Sequence, residues 1–136
     1  MTQPTFVRGG AVALLASVLA MATPSFGHAQ TTALNRVMRN KLADAQGVLA
    51  AVVTSNWAEL ERRSKALAAA ANDPAWQVLS APEYTRQSEA FVRAANDLVD
   101  AAARRDQEGA PLAYVALTMR CVQCHRFVAR ARIAGK

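Results

Sequence analysis

The chain has 136 residues, with 16 Lys and Arg against 10 Asp and Glu for a net charge of +6, and it holds two cysteines and two histidines. That length suits one domain with its own core and is too short for two. The positive charge favours acidic partners, yet the basic residues are spread along the chain with no zinc-finger spacing or aromatic RNA-binding motif beside them, which argues against nucleic-acid binding.

At the N-terminus, Arg8 is the single charged side chain before an apolar run from Ala11 to Ala22. The run has the length of a signal-peptide core and is too short to span a bilayer. Thr23, Pro24, Ser25 and Gly27 break it where an anchor would continue, and Gly27 and Ala29 suit a cleavage site, with Ala20 and Ala22 as a second one. Residues 1–29 are expected to be a cleaved signal peptide and residues 30–136 the mature domain, located in the periplasm without a membrane span. Losing Arg8 leaves 15 basic and 10 acidic residues, so the mature domain stays at +5. His28 is lost with the leader, leaving one histidine.

The remainder reads as helix. Ala and Leu dominate, no strand-length alternation occurs, and Asn, Asp and Pro gather at only three breaks: Thr54-Ser55-Asn56, Asn72-Asp73-Pro74 through Pro82, and Asp106 through Pro111. The first helix is expected from about Thr32 to Val53, burying Leu34, Met38, Leu42 or Ala45, Leu49 and Val52, with Arg36, Arg39, Asp44 and Gln46 outside. The second starts at Asn56, an N-cap with Glu59 three residues on for a capping box, and buries Trp57, Leu60, Leu67 and Ala71. The third opens near Pro82 and buries Tyr84, Phe91, Ala95, Leu98 and Ala102. The last opens at Pro111, with Tyr114, Leu117, Cys121, Cys124 or His125, and Val128 in its stripe. Four amphipathic helices with short connections make an all-α, antiparallel four-helix bundle.

Both cysteines and the remaining histidine fall in one pentapeptide, Cys121-Val122-Gln123-Cys124-His125. This is the attachment signature of a c-type haem: two thiols add to the vinyl groups of one porphyrin, and the adjacent imidazole binds the iron. On a helix the three side chains leave within about one turn, so all can reach one macrocycle. Two other chemistries use such cysteines. A thioredoxin-like dithiol begins a helix in a strand-helix-strand setting, whereas this pair lies deep in the fourth helix of an all-helical chain. A zinc site needs further Cys or His ligands, which the mature chain lacks. One covalently bound haem c is therefore the expected cofactor, attached to the C-terminal helix.

With the motif placed, the chain resembles the class II c-type cytochromes, the cytochrome c prime family and its low-spin relatives. The resemblance covers the mature region: four helices, a haem motif near the C-terminus, and a basic tail of Arg126, Arg130, Arg132 and Lys136. The chain departs from it after the histidine, where many members carry an aromatic and lysines and this one has Arg126-Phe127-Val128-Ala129-Arg130. The resemblance implies His125 as the proximal iron ligand, and a methionine of the first helix, here Met38, as distal ligand in low-spin members. Met119 precedes His125 by six residues on the same helix and cannot reach the opposite face of the iron. Two readings of the distal side stay open. Met38 ligates the iron, or Met38 only packs while Leu34 or Leu42 walls a five-coordinate iron open to NO or CO.

Three further groups carry weaker signals. Trp76 lies against the haem edge or anchors its loop, and anchoring is the ordinary role. Arg36, Arg39 and Lys41 reach haem propionates or form a solvated face, the default for such charges. Arg120, Arg126 and Arg130 flank the motif and pair with haem propionates or form a docking patch for an acidic redox partner. The expected function is one-electron transfer by a monohaem carrier, with capture of a diatomic gas as the alternative. No catalytic pair is visible, so an enzyme is not expected, and pairing into a homodimer stays open.

Overall fold

In the computed structural model the chain is described from Phe26 to Ala134; residues 1 to 25, most of the leader expected at residues 1–29, and residues 135 and 136 lie outside the described residues. Four α-helices follow in order: α1 (Phe26–Val53), α2 (Trp57–Ala70), α3 (Pro82–Arg104) and α4 (Gly109–Ala134), with a 3-10 turn at Pro74–Trp76 between α2 and α3. No strand occurs among the described residues, so the domain is all-α. α1 begins at Phe26 rather than near Thr32 and runs without a break through Ala29 and Gln30.

Local chemistry sets the helix ends. Asn56 Oδ1 accepts the N–H of Glu59 at 3.2 Å and starts α2. The return half of the expected capping box is absent: the Glu59 carboxylate is taken by Arg62 at 2.5 Å and Arg63 at 2.7 Å, while the Asn56 N–H donates to Ala51 O at 2.9 Å. Those two guanidinium hydrogen bonds lower the Glu59 pKa to about 2. Asp73 Oδ1 accepts the Ala75 N–H at 2.8 Å to form the 3-10 turn, and Pro82 is the first residue of α3. α3 ends at Arg105, which adopts a left-handed backbone with φ 52°. Asp106 Oδ1 then accepts the N–H groups of Gly109 at 2.7 Å and Glu108 at 3.2 Å. This carboxylate starts α4 two residues before Pro111.

The core is built from Val37, Val48 and Ala51 of α1, Leu60 and Leu67 of α2, Trp76 of the turn, Tyr84, Phe91, Ala95, Leu98 and Ala102 of α3, and Leu117 and Cys124 of α4. Each fully buried large side chain contributes on the order of 1.5–3 kcal/mol of hydrophobic stabilisation. The α3 stripe is the one its periodicity predicts. α2 buries Leu60 and Leu67 as expected but leaves Trp57 and Ala71 half-exposed, and it adds Ser64 to the core.

α1 is rotated from the expected orientation. Of the expected stripe, Leu42 and Leu49 are 60% and 45% exposed while Leu34, Met38, Ala45 and Val52 are half-buried, and Val37, Lys41, Val48 and Ala51 face inward. The cause is the seam with α2. Arg63 of α2 donates to Asp44 Oδ1 at 2.9 Å and to Glu59 Oε1 at 2.7 Å, and it lies so close to the α1 backbone that a Cβ at Gly47 would sit 2.8 Å from its Nε. Asp44 and Gly47 therefore face α2, and Val48 and Ala51 follow them into the core. α1 packs along α2, α2 along α3 and α3 along α4, and the 3-10 turn rests on α1; the contact between α1 and α4 is slight. Among the described residues no helix is long and apolar enough to cross a membrane.

Candidate functional site

Leu117, Cys121, Cys124 and Val128 recur at three- and four-residue steps along α4 and form its inward stripe. Cys124 is 8% exposed, Cys121 is half-buried, and both are free thiols. His125, one position and about 100° further round the helix, is exposed at the rim of this stripe. The stripe position left open between Cys124 and His125 is thus taken by Cys124.

Burial raises the Cys124 pKa, against a smaller opposing pull from the positive charge of Lys41. The imidazole of His125 shifts the other way: partial desolvation lowers its pKa, and the Lys41 charge lowers it further. His125 is therefore held toward the neutral form, which is the one able to donate a nitrogen lone pair to a metal.

The burial of Lys41 is the feature that sequence reasoning missed. Read as a propionate contact or, by default, as part of a solvated face, it is 7% exposed. Its Nζ sits 3.7 Å from the ring centroid of Phe91 and 4.3 Å from that of Trp76, a double cation–π contact. Burial pushes its pKa down, with Cys121 and Cys124 as the charge partners acting in the opposite direction. A signal for its position did exist: Lys41 stands four residues after Val37 and seven before Val48, on the face those two valines bury.

The rings around it are firmly held. Trp76 is 1% exposed, its Nε1–H donates to Ser88 Oγ at 2.9 Å, and its ring lies 5.4 Å from Phe91 at an interplanar angle of 32°. The Tyr84 hydroxyl donates to the carbonyl of Trp76. Trp76 thus anchors its loop and walls the site together. Burial raises the Tyr84 pKa, and the neighbouring Cys124 raises it further, so the phenol stays a neutral donor.

The other expected residues are placed as follows. Met38 is half-buried on α1 and packs against the core, one turn before Lys41. Met119 is 50% exposed on the outer side of α4. Leu34 is half-buried, whereas Leu42, the other candidate for a distal wall, is exposed. Arg36 and Arg39 are exposed, in keeping with a solvated face, and so are Arg120, Arg126 and Arg130 on α4.

Chemically, the site offers two thiols on successive turns facing the core, an imidazole at their edge, and aromatic walls from Trp76, Tyr84 and Phe91. Among the described residues no group of three or more His, Cys, Asp or Glu side chains is assembled to hold a bare metal ion. The donor set suits a cofactor that brings most of the metal's ligands with it and needs covalent anchors and axial donors from the protein. No family model, no curated protein and no solved structure matches this chain.

Proposed function

We propose that this chain is an exported monohaem c-type cytochrome of the class II kind, a one-electron carrier built as an antiparallel up-down-up-down bundle. Cys121 and Cys124 hold the haem c through thioether bonds, and His125 is the proximal iron ligand. The observation that carries this reading is the grouping of both cysteines with the mature chain's histidine in Cys121-Val122-Gln123-Cys124-His125, on one helix, with both thiols free and turned inward. When bound, haem supplies a one-electron iron couple.

The chain's own residues do the rest. Leu117 and Phe91 line the interior beside the motif and exclude water. Trp76, fixed by Ser88 and Tyr84, closes the aromatic wall. The neutral imidazole of His125 presents a donor nitrogen. Exposed Arg120, Arg126 and Arg130 surround the attachment point and suit an acidic redox partner.

The test is covalent. Expressed in a host able to mature c-type cytochromes, the exported protein is expected to gain the mass of one haem that survives denaturation. Cys121→Ala combined with Cys124→Ala abolishes that gain. Recovery of the bare polypeptide, with both thiols free or bridged to each other, refutes the assignment.

A further inference from the structure

A helix that buries one face in a bundle ordinarily turns polar side chains to water on the other. α4 does not. Of the eight large apolar residues left exposed among the described residues, five lie on this one helix: Leu112, Val115, Met119, Val122 and Ile133. They run along the side away from Leu117 and Cys124, so they point out of the bundle. Their spacing is a second observation. From Leu112 to Val122 the steps are three, four and three residues, and the same alternation continues through Arg126 and Ala129, both exposed, to Ile133. Such steps trace one narrow line, here about 31 Å long at about 1.5 Å per residue, and that line is the seam by which one helix packs lengthwise on another.

The charges say what fits the seam. α4 has no acidic residue and no charged residue from Gly109 to Met119, while Arg120, Arg126, Arg130 and Arg132 all follow. A parallel second copy would set Arg126 on Arg126. An antiparallel copy turned about Val122 sets the basic half of each helix against the neutral half of the other. Counting outward from Val122, Met119 then meets Arg126 of the partner subunit, Val115 meets the partner's Ala129, and Leu112 meets the partner's Ile133. At the flank Arg130 falls beside Ala116 instead of a second arginine. We propose that the outer face of α4 is a self-association surface, on which a second copy of this chain lays its own α4 antiparallel about a two-fold axis at Val122.

Other occupants suit the seam less well. A membrane surface takes a broad apolar face, and this is a single line with Arg126 within it and Arg130 beside it. An acidic helix from another protein would answer Arg126 but leave the neutral first half of α4 without a counterpart. The exposed Leu42, Leu49 and Val53 of α1 make a shorter line, interrupted by Gln46. In the pair the Arg126 stem lies over Met119 and its guanidinium extends to the rim, so both basic patches stay open on opposite halves of the dimer. The seam leaves the inward face of Cys121 and Cys124 untouched, so this pairing does not rest on the haem reading.

The experiment is sedimentation velocity on the intact protein, purified from a host that attaches haem, across micromolar concentrations. A monomer–dimer equilibrium is expected. Met119→Arg, which sets like charges together twice per pair, raises the dissociation constant about tenfold or more. Met119→Glu meets the same arginine with the opposite charge; it holds the dimer at low salt and loosens it as salt rises. Leu49→Glu on α1 leaves the constant unchanged. Met119 is 50% exposed, so both of its variants are expected to keep the parent's helical content and thermal midpoint.

A wild type still monomeric at about 100 µM overturns the assignment. So does a dimer that Leu49→Glu breaks and Met119→Arg does not, or one that Met119→Arg and Met119→Glu weaken equally. A monomer that cosediments with phosphatidylserine vesicles overturns it in favour of a lipid surface. Mass spectrometry of the same samples separates the two readings, because a dimer without the haem mass rejects the cofactor and keeps the pairing.

Discussion

Ser64 is fully buried on α2, between Leu60 and Leu67, and its hydroxyl has no hydrogen-bond partner among the described residues. A buried polar group left unpaired costs roughly 1–3 kcal/mol of desolvation, and serine is also a poorer helix former than alanine. Ser64→Ala is expected to raise stability by about 1 kcal/mol, read as an upward shift of the thermal midpoint against the parent chain. A lower midpoint would mean that the hydroxyl has a partner. Residues differ in how plainly a sequence announces them. Cys121, Cys124 and His125 stood out as a candidate site because the proposed haem attachment is a local chemistry, written in five consecutive positions. Lys41 did not, since a charged residue on a helix ordinarily marks the wet side, and only its register with Val37 and Val48 said otherwise. Ser64 was silent for a similar reason: a small polar residue among alanines hardly alters the helical pattern.

α3 and α1 show why some helices can be oriented from sequence and others cannot. In α3 every large apolar residue of the buried face, Tyr84, Phe91 and Leu98, falls on one stripe, and the opposite side carries Arg86, Glu89, Arg93, Asp97 and Asp100. One orientation alone buries the first set and wets the second. α1 carries two apolar stripes, Leu42, Leu49 and Val53 on one side and Val37, Val48 and Ala51 on another. Periodicity favoured the stripe with the leucines. The choice was made instead by Arg63 reaching from α2 to Asp44 over Gly47, a contact between residues 19 apart in the chain. The orientation has a direct check by chemical denaturation. Val48→Ala should cost about 2 kcal/mol through lost burial and an unfilled cavity. Leu42→Ala should stay within about 0.5 kcal/mol of the parent, as for other exposed positions. If Leu42→Ala proved the costlier change, α1 would be turned as its leucines suggested. α4 presents a similar ambiguity, because Leu112, Val115, Met119 and Val122 are all substantially exposed on the side away from Leu117 and Cys124. There the cysteines, rather than the hydrophobic pattern, mark the inner face.

At the scale of the whole molecule, the net charge of +6 and the exposed arginines Arg120, Arg126 and Arg130 on α4 would set how the proposed carrier meets its partners. Attraction between a positive face and an acidic partner accelerates encounter and is screened over about 8 Å at physiological ionic strength. The second-order rate of reduction by an acidic redox protein is expected to fall as salt rises, and Arg126→Glu with Arg130→Glu should lower the rate at low salt and flatten that slope. A rate indifferent to ionic strength would remove the docking patch from consideration. The four-helix, all-α architecture was legible in advance because three clusters of helix-breaking residues cut an Ala- and Leu-rich chain into four segments, each long enough for a helix. The unequal packing among the helices was not, since it depends on which faces meet. That inequality bears on how the protein is made. α1 is fastened to α2 by Arg63 and by the core, but its far edge barely touches α4. The side of the bundle between α1 and α4 is therefore the one where the fewest packed contacts stand between Cys121, Cys124 and the outside, and it is the side from which the proposed haem would have to be offered to both sulfurs.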